Sequence, residues 1–337
     1  MELIGLDSHF ARVKNLLCTN IQWNRRYYEA GDYMLELLAE DWDTSIVYIY
    51  TPDRPETGMV QKIESENTVK GDFVLVSGYF LEGMLNWKIT WPEHKSTGNV
   101  CAACKSLVTS LMADTGVAVA DETDIGGSEA FDSEKEKLGD ATYAALKKQE
   151  LSQRILFNYG TETMAYSIWQ GLDRTQSQSE NTYAAFAQNF GNVNKLVLTQ
   201  DSSAMHNYAI VGYYKDGDEK TMELDLRKGE ETKRILWINN SVYKDDDETD
   251  AEFLTAVESD ARKLMEKYEA IENVAADVQQ YNTYYMKDYD LGDKCYIRDD
   301  RMDLEFEARI IEVDEVWKEN RHIVTVEFGN RIPTTND

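Results

Sequence analysis

Residues 281–313, YNTYYMKDYDLGDKCYIRDDRMDLEFEARIIEV, place the tightest limit on what this chain can fold into. Short runs of Tyr, Thr, Val, Ile and Phe are broken by the turn signals Asp290-Leu291-Gly292-Asp293 and Asp299-Asp300, the pattern of successive antiparallel strands. A last run at residues 323–328 sets Val324, Val326 and Phe328 on one face and Ile323, Thr325 and Glu327 on the other, so one side can be wetter. The region predicts a small β unit of about four strands. Its acids are spread through turns and outward positions, and its only Cys and His are Cys295 and His322. Its chemistry is that of a wall.

The rest of the chain alternates β and helical patterns. Residues 21–28 and 33–38 read as a hairpin with Gly31 in its turn, where positive φ is tolerated. Further strands are predicted at residues 46–50 and 71–78, with Pro52, Pro55 and Gly58 in the loop between. Leu81, Met84 and Leu85 follow a helical period that stops at Pro92, and Val100, Cys104, Leu107, Val108 and Leu111 form one face of a second helix capped by Asn99. Residues 113–140 read as acidic and loop-like around Ile125-Gly126-Gly127-Ser128, and residues 142–159 as helix ended by Gly160. Strands are predicted again at residues 164–170, 195–199, 208–214 and 221–226, with a polar loop at 171–178 and a hairpin turn at Asp216-Gly217-Asp218. Phe253, Val257, Ala261, Leu264, Tyr268 and Ile271 then mark a strongly periodic helix, begun by a capping box at Thr249 and Glu252. No heptad or solenoid repeat is present.

These patterns predict an α+β, β-rich, multi-domain chain, with small antiparallel β-barrel or sheet units at both ends and helices between. The expected division is residues 1–92, β-rich; 93–160, mainly helical; 161–240, β-rich; and 241–337, the long helix plus the terminal β unit. With 337 residues and 42% hydrophobic content, there is enough apolar material for real cores.

Charge and cysteine content exclude several functions. The 62 acidic against 35 basic side chains give a formal charge of −27, opposite to the electrostatic footprint of nucleic-acid binding. Acids could instead line a channel through which DNA slides without sticking. The N-terminus lacks the basic start and apolar run of a signal peptide, and no stretch approaches the 18 apolar residues of a membrane span, so a cytosolic origin is expected. Cys18, Cys101, Cys104 and Cys295 are too few and scattered for a disulfide framework, and free thiols are expected.

Candidate chemistry is sparse. Cys101-Ala102-Ala103-Cys104 has redox or half-zinc-site spacing, but it lies within a helical pattern and has no second Cys or His pair at a matching distance; small structural residues are the expectation. Asp245-Asp246-Asp247-Glu248 lacks the alternating ligands and central Gly of an EF-hand and reads as a solvated helix start. None of His9, His94, His206 and His322 sits in a Ser-nucleophile context. Asp173-Arg174 can be a catalytic or binding pair, or a structural ion pair that pins the polar loop. A glycosidase-like carboxylate pair cannot be singled out among 62 acids. No catalytic, cofactor or metal residue is assigned, and no cofactor is expected.

Three stretches carry a resemblance. They are Trp23-x-x-Arg26-Tyr27-x-x-x-Gly31-Asp32-Tyr33-x-Leu35, then Gly171-x-Asp173-Arg174-Thr175-x-x-Gln178, then Tyr289-Asp290-Leu291-Gly292-Asp293-Lys294-Cys295 with Ala308-Arg309-Ile310-Ile311-Glu312-Val313. In order and spacing the chain resembles the siphophage and prophage tail-associated, Tal-like baseplate hub proteins of Gram-positive phages, the Siphovirus ReqiPepy6 Gp37-like group. It departs from them at Tyr79 and near Lys88, where relatives often carry Arg. The resemblance implies a homotrimeric, non-enzymatic hub of the virion's tail tip, assembled in the bacterial cytoplasm. Such a hub continues the tail tube, docks on the distal tail protein ring, and lets DNA and the tape-measure protein pass its lumen unbound. Because the chain stops at Asp337, just after the terminal strand, no appended lytic domain is expected. The alternatives are a prophage cell-wall hydrolase acting through a carboxylate pair, and a carbohydrate-binding adhesin using the 20 Tyr and 7 Trp, aromatics that sheet cores require equally.

Overall fold

In the computed structural model, the described residues are 1–69, 71–215, 217–229, 231–241, 244, 248–268, 271–280 and 282–329. They are mostly β and form two compact units, Met1–Val197 with Val274–Gly329, and Leu198–Asn273 together with Asn330–Asp337, the last outside the described residues. The larger unit is therefore built from two separate parts of the chain.

The backbone of the larger unit is a ten-stranded sheet that runs, within this unit, 193–197, 274–278, Arg321–Gly329, Leu304–Lys318, Cys18–Arg26, Asp32–Leu38, Gly71–Tyr79 and Lys62–Thr68, with Lys294–Asp299 and Ala185–Ala187 branching from it. The expected hairpin forms with Trp23 opposite Tyr33 and Ile21 opposite Leu35. Its other neighbour comes from the far end of the sequence: Leu304–Lys318 pairs antiparallel with Cys18–Arg26, setting Trp317 opposite Ile21, Glu315 opposite Trp23 and Val313 opposite Arg25. Alternation then dictates the layers. Ile21, Trp23, Tyr33, Leu35, Leu37, Val74 and Val76 bury one face, while Gln22, Asn24, Arg26, Asp32, Met34 and Glu36 on the other stay partly exposed.

A second core in this unit collects Leu81, Met84 and Leu85, the inner face of α1 (Val100–Leu111), Leu138, Ala141, Ala145 and Leu146 of α2 (Leu138–Lys147), and the hairpin Ser152–Asn158 with Thr163–Trp169. α1 starts as the sequence predicts, with Asn99 Oδ1 accepting from the N–H groups of Cys101 (2.8 Å) and Ala102 (3.1 Å).

Several local expectations are corrected. Residues 142–159 are not one helix: α2 ends at Lys147, and Ser152–Asn158 is a strand. The chain turns at Glu150 with φ +56°, a left-handed residue that no glycine announces. The segment Leu81–Trp87 is a 3-10 helix, not an α-helix. Lys62–Thr68 is a strand that its polar sequence hides, and the acidic region holds the short strands Val117–Val119 and Phe131–Ser133. Ile271 belongs to the strand Ile271–Val278 and not to the preceding helix.

The smaller unit packs α3 (Asp250–Met265) on one face of the sheet formed by Asp218–Asp225, Tyr208–Lys215 and Ile235–Asn239. Ala209, Val211, Tyr213, Leu224 and Ile238 meet Phe253, Val257, Ala261 and Met265. The capping box is present: the Glu252 N–H donates to Thr249 Oγ1 (3.3 Å), and the Thr249 N–H donates to Glu252 Oε2 (2.9 Å). Asp216 of the expected turn and Asp245, Asp246 and Asp247 of the acidic run lie outside the described residues. Among the described residues, no helix is long and apolar enough to cross a membrane.

Trp23 is the best single probe of the sheet core, being fully buried with ring centroids of Phe80 at 4.6 Å and Tyr33 at 5.7 Å. Trp23→Ala is expected to cost about 3–5 kcal/mol, read as a lower urea midpoint with an unchanged slope.

Candidate functional site

The three resemblance stretches converge in space within the larger unit, around polar groups that strand alternation forces inward. Arg25 shares the buried parity of Ile21 and Trp23, and its guanidinium is buried. Nε donates to Glu56 Oε1 (2.6 Å), and Nη1 donates to Asp290 Oδ1 (2.6 Å) and to the Tyr285 hydroxyl. Burial works against the charge, but Glu56, Tyr285 and Asp290 outweigh it and hold Arg25 protonated. Glu315, also fully buried, is met in the same way: Arg54 Nε donates to Oε1 (2.6 Å), Arg54 Nη2 pairs with Oε2, and His322 Nε2 lies 2.9 Å from Oε2. Burial alone would raise the Glu315 carboxyl; the bonds from Arg54 and His322 prevail and lower it.

Next to Arg25, the loop at 171–174 closes on the turn at 290–293. Asp293 Oδ1 accepts from the Leu172 N–H (2.8 Å), and Oδ2 accepts from Arg174 Nε (2.5 Å) and the Asp290 N–H (2.9 Å). Asp173 does not pair with Arg174; it accepts from the Thr175 N–H (2.8 Å) and hydroxyl (2.7 Å), which lower its pKa. The Tyr27 hydroxyl accepts from the Gly171 N–H (3.2 Å) and donates to the Glu150 carbonyl (3.0 Å). Arg309 binds Glu150 (2.5 Å) and the Gly292 carbonyl (2.5 Å), with its guanidinium 5.5 Å from the Tyr27 ring centre.

Two glycines make this approach possible. A Cβ on Gly171 would lie 1.9 Å from the Gly292 carbonyl oxygen, and one on Gly292 would lie 2.4 Å from the Tyr27 ring, at a φ of +83°.

On the partly exposed face of the sheet, Arg26 binds Asp32 (2.5 Å) and Glu312 (2.9 Å), with Asp314 and Glu327 close enough to interact. Burial, partly countered by Arg26 and reinforced by the acids on either side, pushes both Glu312 and Asp314 above the ordinary carboxylate range.

The other candidates stand apart from this centre. Cys101 and Cys104 are buried in α1 as free thiols, and burial raises both pKa values, away from thiolate chemistry. His9 is exposed, His94 lies 5.6 Å from the Phe131 ring, and His206 Nδ1 is 2.9 Å from the Ala204 carbonyl. Among the described residues, none of the four histidines bonds a Ser or Cys, and no group of three acids, Cys or His has metal-site geometry. The centre is an assembly of ion pairs that joins distant parts of the chain. Sequence reasoning quoted Arg26, Asp293 and Arg309 but missed Arg25, Glu56, Tyr285 and Glu315. The available signal was parity: Arg25 follows Trp23, and Glu315 follows Val313, on the apolar side of their strands.

Gly292→Ala is expected to destabilise by about 2–4 kcal/mol, from overpacking against Tyr27 plus the positive φ, read by thermal melting. Asp314→Asn tests the raised carboxyls. A carboxyl raised on folding stabilises fully below its unfolded pKa near 3.9, and that contribution is lost as pH climbs through the folded value. The variant should therefore melt roughly 2–4 °C above the parent at pH 7.5 and show no gain at pH 4.

No curated protein matches the chain in a sequence search. Solved structures share its fold at low identity. The tail protein from Neisseria meningitidis MC58 is 12% identical with a TM-score of 0.60, over 97% of this chain and 95% of that one. The 43 kDa tail protein of prophage MuSo2 from Shewanella oneidensis is 11% identical with a TM-score of 0.61, over 98% of each. Prophage tail protein gp18 from Listeria monocytogenes EGD-e is 9% identical with a TM-score of 0.54, over 98% of this chain and 95% of that one. The family model for the Siphovirus ReqiPepy6 Gp37-like proteins matches residues 6–330, and the chain belongs to that family.

Proposed function

We propose that this protein is a structural component of a siphovirus or prophage tail tip, a hub that continues the tail tube and docks on the distal tail protein ring as a homotrimer. The observation that carries the reading is the family match over residues 6–330, joined to a prophage tail-protein fold that extends over nearly the whole chain.

The interior supports the same reading. Its charged groups are spent on one another, in Arg25 with Glu56 and Asp290, Arg54 with Glu315, and Arg174 with Asp293. Groups committed in this way fix a shape and are poorly placed to transfer protons to a substrate. We therefore infer no catalytic role and no cofactor. The formal charge of −27 suits a lumen that DNA and tape-measure protein traverse unbound, in a particle assembled in the bacterial cytoplasm.

Molar mass by light scattering tests the proposal, across a concentration series and then with a distal tail ring protein added. A trimer, alone or on the ring, is expected. A monomer that ignores the ring would sink the hub assignment.

A further inference from the structure

The sheet of the smaller unit has a second face, turned away from α3. Because Ala209, Val211, Tyr213, Leu224 and Ile238 pack on that helix, alternation turns Ile210, Gly212 and Tyr214 of the middle strand to the other side. Register then sets Trp237 beside Ile210, and Asn239 beside Gly212, on one flank. On the other flank Glu223, Thr221 and Glu219 stand beside Ile210, Gly212 and Tyr214. Large apolar side chains stay open here, with Ile235, Trp237 and Tyr214 keeping 52%, 51% and 56% exposure.

Trp237 is both exposed and held in place. A Cβ on Gly212 would lie 2.9 Å from Cζ2 of the indole, so the bare glycine is what lets the ring lean across the middle strand. The indole Nε1 donates to Asn239 Oδ1 (2.7 Å), which fixes the direction of the ring.

An exposed aromatic alone would suit any apolar partner, but the strand Asp218–Asp225 adds Glu219, Thr221, Glu223 and Asp225 to the same face. Cores of protein–protein interfaces are depleted in Glu and Asp, and a row of carboxylates repels polyanions. The far end of the face is closed on itself. Lys233 Nζ lies 3.7 Å from the centre of the Tyr208 ring, the Tyr208 hydroxyl donates to Glu223, and Arg227 pairs with Asp225 (2.6 Å). What stays open is the end where Trp237 and Tyr214 adjoin the exposed Glu219 and Thr221. A pyranose ring has the matching parts: C–H bonds on its faces to lie on aromatic rings, and hydroxyls on its rim to donate to a carboxylate and exchange bonds with a threonine hydroxyl.

We propose that this face binds an uncharged oligosaccharide, stacked on Trp237 and Tyr214 with its hydroxyls bonded to Glu219 and Thr221.

Titration calorimetry and saturation-transfer NMR on the whole protein test this, with tetrasaccharides of N-acetylglucosamine, glucose and galactose as probes and a heparin tetrasaccharide as the anionic control. At least one uncharged probe is expected to bind, and the heparin fragment is not. Trp237→Ala should weaken binding about tenfold or more and Tyr214→Ala about threefold, each in proportion to one lost aromatic contact. Trp87→Ala, which removes an equally exposed tryptophan of the larger unit, should leave it unchanged. Failure of all three uncharged probes at millimolar concentration would overturn the proposal, as would a preference for heparin or binding that survives Trp237→Ala. So would a concentration-dependent rise in molar mass that Trp237→Ala abolishes, which would give the face to a second copy of the chain. If Trp237→Ala does not fold, Tyr214→Ala and Thr221→Val decide the matter, both being expected to weaken binding.

Discussion

The buried guanidinium of Arg25 is the constraint on which the larger unit depends. A charge placed on the apolar side of a strand must be met by acceptors or it makes the fold untenable. Its acceptors come from Glu56, Tyr285 and Asp290, separated from it by 31, 260 and 265 residues. The arrangement forces the two chain segments of the unit into one register. Arg54 with Glu315 and Arg174 with Asp293 repeat the device at sequence separations of 261 and 119. Replacing such pairs with well-packed apolar side chains can leave a protein as stable or more so, whereas removing one partner strands a buried charge and is strongly destabilising.

Much of this was legible in the amino-acid order, where the physics is local. The hairpin around Gly31, the Asn99 cap and the Thr249–Glu252 capping box each rest on interactions within a few residues. The failures have a common cause. Lys62–Thr68 has no apolar alternation of its own and becomes a strand by pairing with Gly71–Tyr79. The strand Ser152–Asn158 cannot be told from a continuation of α2 in sequence, because the chain reverses at Glu150 without a glycine. The pairing of Cys18–Arg26 with Leu304–Lys318 left no trace in periodicity, since each strand alone shows the same alternation whatever its neighbour is.

The site divides along the same line. Gly171, Arg174, Gly292, Asp293 and Arg309 stand in recognisable stretches, but what each one touches is set by tertiary contact. Asp173 and Arg174, adjacent in sequence and plausible as a pair, turn to different partners. Conversely, Tyr27 and Gly292 are far apart in sequence and closely packed in space. The resemblance stretches contain only some of the participants, with Arg25, Glu56, Tyr285 and Glu315 outside what they mark, and only the fold assigned the pairs.

The central position of Cys18–Arg26, next to Leu304–Lys318, sets an order on biosynthesis. Arg26 and its partner Glu312 are 286 residues apart, and at about 5–20 residues per second a ribosome needs roughly 15–60 s to bridge that distance. During that interval the nascent hairpin offers an open edge, while Arg26 has only its local partners Glu29 and Asp32. The pairing on this side of the hairpin therefore waits until Leu304–Lys318 has been made, and until then the hairpin keeps an unpaired edge, the kind of surface that templates pairing with other chains.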